Sequence, residues 1–144
     1  MGGWLKFYII FFCIVAPILG FLVTLTAVLG LESNSDFSGF YNWETYRNAM
    51  YGIVVVNVFV MFRLAYILST SELQTTKGDA IMMMWVAGPV ALIGGGIVMH
   101  FALPEGRVFE EIIPAALGSA FWTTIWTLYF KKSKRVANTY WKPV

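Results

Sequence analysis

The side chains of this sequence that could do chemistry are few and scattered. His100 is its only histidine and Cys13 its only cysteine. Two-histidine haem ligation, a cysteine metal cluster and an intramolecular disulfide are therefore excluded within one chain. Asn57, Thr123, Thr124 and Thr127 lie in apolar surroundings, where an amide or hydroxyl serves best as an interhelical hydrogen bond worth about 1 kcal/mol. Arg63 is set inside an apolar run, and it has two readings. Its long stem can carry the guanidinium out to lipid headgroups, or it can face inward and grip an anionic headgroup or a partner's carboxylate. No nucleophile, base and orienting acid can be assembled from these parts, and no glycine-rich phosphate loop follows a strand. The expectation is a protein that is not an enzyme, with no catalytic residue, cofactor or metal.

The elements that must position these groups are four apolar runs, Phe7 to Leu31, Ala49 to Leu68, Ala80 to Leu103 and Ile112 to Phe130. Apolar residues make up 58% of the chain and charged ones 12%, half the roughly 25% charge of a soluble domain. Each run reaches the roughly 18 residues needed to cross a hydrocarbon core. Helix is the state that satisfies its own backbone in lipid, and the short alternating segments of a barrel are missing. The fold expected over residues 1–144 is thus an all-α integral membrane protein, a single domain of four transmembrane helices in an antiparallel bundle, with a basic tail over 131–144. The first run is too long for the core of a signal peptide, and Lys6 breaks the myristoylation pattern. No Asp or Glu lies inside a run, which argues against an ion-driven pump.

Cations resist translocation, so their placement orients the chain. With both ends in the cytoplasm, that side holds Lys6, Arg63, Lys77, Lys131, Lys132, Lys134, Arg135 and Lys142 against Arg47 and Arg107 outside. The turns are also legible. Leu103-Pro104-Glu105-Gly106 suits a type I turn, and Asp79 is placed to cap the third helix. Phe37, Phe40, Tyr41, Trp43 and Tyr46 form an aromatic group in the first outer connection, suited to lying at the interface or to docking a partner. Gly94, Gly95 and Gly96, with the pairs Ala116/Ala120 and Ala115/Ser119, permit close helix packing within the chain or a homo-oligomer face. Pro17 and Pro89 predict kinks.

The two ends carry a more specific pattern. Gly2-Gly3-Trp4-Leu5 opens the chain, and Tyr129-Phe130-Lys131-Lys132-Ser133-Lys134-Arg135-Val136-Ala137-Asn138-Thr139-Tyr140 closes it. Together they resemble the bacterial inner-membrane proteins grouped as domain of unknown function 2569, which open with G-G-W-L and end close to Y-F-x-x-S-x-R-V-x-x-T-F. The resemblance covers length and the four-span layout and brings no activity with it. A basic, proline-containing turn that commonly follows span 2 in the family is replaced here by the nearly uncharged Ser69 to Lys77. In a short helix Arg135 and Thr139 share a face, and the alternating apolar residues suit docking onto the bundle's own end or onto a partner.

The expected role is that of an accessory or assembly subunit of a larger membrane complex. A carrier or channel component for a small solute and a toxin-immunity-type membrane protein are the rivals. Membrane lipids and other integral membrane proteins are the expected partners, and nucleic acid is not, because a basic cluster directly after a span meets anionic lipid. The candidate contacts are Phe40, Tyr41, Trp43, Arg63, Lys131, Lys132, Lys134 and Arg135. Reporter fusions test the orientation: a periplasmic phosphatase fused after Val144 is expected to be inactive and one inserted near Ser38 active, and the reverse pattern would sink it.

Overall fold

The computed structural model describes residues 3–33, 43–102 and 108–142, and the described chain is helical throughout apart from short connections. Four long helices come first: α1 (Trp4–Glu32), α2 (Trp43–Thr70), α3 (Thr76–Trp85, Val86–Val90 and Ala91–Ala102) and α4 (Val108–Lys132). The short α5 (Lys134–Thr139) follows. Three of them, α1, α2 and α3, are long and apolar enough to cross a membrane. The 25 residues of α4 interleave Thr, Trp and Tyr with aliphatic side chains. The turn expected at Pro104 lies outside the described residues.

Consecutive helices pack side by side and alternate in direction. At one end, here the near end, Leu5 of α1, Leu68 of α2, Ala80 of α3 and Phe130 of α4 join one buried cluster. At the far end Arg47 of α2 reaches Glu32 of α1, Nη1 to Oε1 at 2.9 Å. Between α1 and α4 the contact is made by rings: Tyr8 lies 4.5 Å and Phe12 5.4 Å, centroid to centroid, from Trp126. Away from this cluster most large apolar side chains are exposed, Val23, Phe59, Phe101 and Leu117 among them. Lipid is as apolar as they are, so no hydrophobic force drives them together.

Small residues set how closely the helices approach. A Cβ on Gly96 would stand 2.7 Å from Cδ1 of Ile112, and one on Gly95 would stand 3.2 Å from Cδ1 of Ile53. Gly94 instead opens onto free space. Ala116 is buried and Ala120 half-buried, whereas Ala115 is exposed, so one of the two small-residue pairs faces into the packed helices.

Both expected kinks appear as local widenings of the helix. Phe11–Val15 and Val86–Val90 are π-helical, the first ending just before Pro17 and the second containing Pro89. A proline in a helix lacks an amide donor and crowds the carbonyl four residues back; a wider turn relieves both faults. In α3 the amide of Ala91 bonds five residues back to Val86 O, and Gly88 leaves helical geometry at φ −94°, ψ −106°. The carbonyl of Ala87 instead receives Nδ2 of Asn57 at 2.6 Å. The interhelical bond expected of Asn57 thus falls on the carbonyl at the bend.

The expected cap by Asp79 is not what forms. α3 begins at Thr76 behind Thr75, which places Asp79 within its first turn. Its amide bonds to Thr75 O at 3.0 Å. The early start has a cause: the Thr76 hydroxyl is tied to that of Ser71 at 2.6 Å, and its amide to Leu73 O at 3.2 Å. Asn57→Leu tests the bend. Losing the bond while keeping the volume is expected to cost about 1 kcal/mol, read as a lower thermal midpoint in detergent, and an unchanged midpoint would show that the carbonyl finds another donor.

Candidate functional site

Two places collect the polar groups of the described chain, the near end and the interior. At the near end α4 stops at Lys132 because Ser133 turns extended, φ −74°, ψ 120°. Its hydroxyl then accepts the amide of Val136 at 3.4 Å and starts α5. Val136 and Tyr140, four residues apart, are both fully buried in the core cluster. The Tyr140 hydroxyl donates to Leu68 O at the end of α2 at 2.7 Å. Burial pushes its phenol above the ordinary range, so it remains a donor at physiological pH.

The chain then runs alongside the α2–α3 connection. Lys142 N donates to Glu72 O at 3.0 Å and Gln74 N to Lys142 O at 2.9 Å. Gln74 Nε2 reaches Trp141 O at 3.1 Å, and the Lys142 ammonium pairs with the Glu72 carboxylate. Of the two docking choices open for the tail, the bundle's own end is occupied. The two terminal patterns also meet: Nη1 of Arg135 lies 3.0 Å from where a Cβ on Gly3 would stand, and Gly3 has φ +51°. The left-handed backbone calls for glycine there.

The chain matches the family described as "Protein of unknown function (DUF2569)" over residues 1–141. It belongs to that family. No curated protein and no solved structure matches it. For this DUF2569 member the closing pattern is therefore a clamp across the near end. Its inward residues Val136 and Tyr140 fix it, while Lys131, Lys132, Lys134 and Arg135 stay exposed around it.

The remaining candidates do not gather into one site. Phe37, Phe40 and Tyr41 lie outside the described residues. Trp43 is 8% exposed at the start of α2, at the far end, and stacks on Tyr46 with centroids 5.6 Å apart. Arg63 is exposed beside the exposed Phe59 and Tyr66, on the outer face of α2 and not turned toward the other helices. Of the three threonines expected to bond between helices, Thr127 does so, accepting Nε1 of Trp85 at 3.2 Å. Thr124 donates to Ala120 O of its own helix.

Sequence reasoning missed the interior. Two adjoining cavities of 250 and 370 Å³ lie among the four long helices and share Phe12, Met61, Ala87, Gly88 and Ser119 as walls. The smaller is lined by aromatic rings and by Thr123; the larger reaches past Asn57 to Pro17, Gly20 and Thr24. His100 sits apart, against Phe109 with centroids at 5.1 Å. Among the described residues no group of three or more His, Cys, Asp or Glu could hold a metal.

The clamp yields a direct test. Tyr140→Phe removes one buried hydrogen bond and is expected to cost about 1 kcal/mol, and Val136→Asp, which buries a charge, is expected to release the tail. Hydrogen exchange at the Gln74 and Lys142 amides should rise slightly in the first variant and reach solvent-exposed rates in the second. Equal protection in all three proteins would show that the tail is held by other contacts.

Proposed function

We propose that this DUF2569 member is a four-span inner-membrane protein, both termini in the cytoplasm, that acts as an accessory or assembly subunit by binding other integral membrane proteins within the bilayer. The fourth span is α4. Between Glu111 and Lys131 it has no charged residue, and its 25 residues extend about 37 Å at 1.5 Å each, enough to cross. Four crossings return the chain to its starting side, and the cationic excess marks that side as cytoplasmic. The family resemblance favours the bacterial inner membrane.

The observation that carries the partner reading is a groove of 470 Å³ between α2 and α3, apolar and floored by Ala49, Gly52, Ala91 and Gly94. In lipid, helices associate where small residues let backbones approach, because burial itself gains little. A Cβ on Gly52 or on Gly94 would meet nothing within 4 Å, so these glycines leave room that the chain does not use for its own packing. The most apolar windows of α1, α2 and α3 are only 17, 17 and 28% buried within the chain, which leaves broad faces for neighbours. The folded tail and the outward Arg63 add basic groups at headgroup level, suited to anionic lipid around such a complex.

Gly52→Leu with Gly94→Leu fills the groove without a clash inside the chain. The double variant is expected to insert normally and to lose its membrane-protein partners in a cross-linked detergent pull-down. Retention of every partner seen with the unmodified chain would remove this groove from the reading.

A further inference from the structure

We propose that the interior cavities form a binding site for a neutral, membrane-soluble molecule with a planar, carbonyl-bearing ring, the chemistry of a quinone. The inference rests on the chain crossing the bilayer and not on the partner reading. Its starting point is a contrast among hydroxyls. Thr24, Thr26, Ser69, Thr70 and Thr124 each donate to a carbonyl three or four residues back on their own helix. Such a bond is locally available to any helical Ser or Thr. Among the described residues, Ser119 and Thr123 find no such partner, on their own helix or elsewhere.

These two stand four residues apart on one face of α4, and both line the smaller cavity. Thr123 is 8% exposed. Both hydroxyls face the cavity and keep their hydrogen-bonding capacity free, so together they are matched to an acceptor brought in from outside. Gly88 keeps the space open at the helix bend: a Cβ there would stand 2.8 Å from Ser119 Oγ and 3.3 Å from Thr123 Oγ1.

The walls narrow the class of ligand. Among the described residues no charged side chain lines either cavity, which disfavours ions and charged headgroups. A bare acyl chain would leave both hydroxyls unpaired. Tyr8, Phe12, Trp122 and Trp126 offer ring faces and edges around the smaller cavity, suited to stacking a planar group. Two hydroxyl donors suit the oxygens of a ring carbonyl. The larger cavity leads away past Pro17 and Gly20 of α1, giving an apolar tail a path, and the two volumes together fall in the roughly 300–1,000 Å³ usual for small-molecule sites.

Decylubiquinone is the probe. The purified full chain in neutral phosphatidylcholine nanodiscs is titrated with it while tryptophan fluorescence is read. A saturable quenching phase is expected, weakened about tenfold in Ser119→Ala/Thr123→Val by the loss of two hydrogen bonds. The thermal midpoint of that variant should not fall, because the hydroxyls bond to nothing in the free protein. Decylbenzene, which has the ring and chain without carbonyls, should compete poorly. Quenching that rises linearly with quinone in the lipid and is equal in the variant would mean partitioning only, with a cavity that holds nothing but water, and would overturn the proposal. Equal competition by decylbenzene, or a midpoint lowered in the variant without quinone, would overturn it as well.

Discussion

Lipid offers no hydrogen-bond partner, so every amide and carbonyl in the spans must be satisfied by the chain itself, and the arrangement of the four long helices turns on how this is managed where α3 bends. Pro89 cannot donate, Gly88 leaves helical geometry, and the ladder is displaced by one residue at Ala91. The Ala87 carbonyl at this bend is met by Asn57 of α2. One side-chain amide thus couples the bend of α3 to the position of α2. The same bend brings Gly88 against Ser119 and Thr123 of α4, so three helices take their spacing from one irregular turn.

Packing is divided unevenly along the molecule, and the division follows from solvent. Near the chain ends the interior must be closed against water, and the buried cluster lies there: large rings from α1 and α4, the ends of α2 and α3, and Val136 and Tyr140 from the tail. Further along, where lipid surrounds the helices, contacts rest on small residues and single polar bonds, and cavities remain. Among the described residues of the far end, Arg47 pairs with Glu32. Part-exposed ion pairs of this kind hold weakly.

Legibility from sequence follows the range of the interaction. Hydropathy reports a helix's surroundings residue by residue, so the runs from Phe7, Ala49, Ala80 and Ile112 found the four long helices, whose ends extend past nearly all of them. The prolines marked both irregular turns because their effect is local. Asp79 failed as a cap because Ser71 and Leu73, on the connection, draw the start of α3 back to Thr76. Trp43 read as part of an outer aromatic group, and its ring is buried and stacked on Tyr46. The tail's alternation was visible, whereas its docking surface required knowing that the nearly uncharged Ser69 to Lys77 connection would lie beside it. Ser119 and Thr123 were the least legible. Composition marks a hydroxyl as packing or glue, and only the neighbouring Gly88 on another helix reveals that theirs are unspent.

The nearly uncharged connection after α2 also suits the tail electrostatically. A basic turn after α2 would set cations beside the exposed Lys131, Lys132, Lys134 and Arg135, and like charges at that spacing repel. With Glu72 and Gln74 there, the connection supplies one backbone acceptor, one backbone donor, a side-chain amide and a carboxylate to Trp141 and Lys142. In this chain the turn is therefore complementary to the tail. The basic residues Lys131, Lys132, Lys134 and Arg135 stay exposed around this closed end.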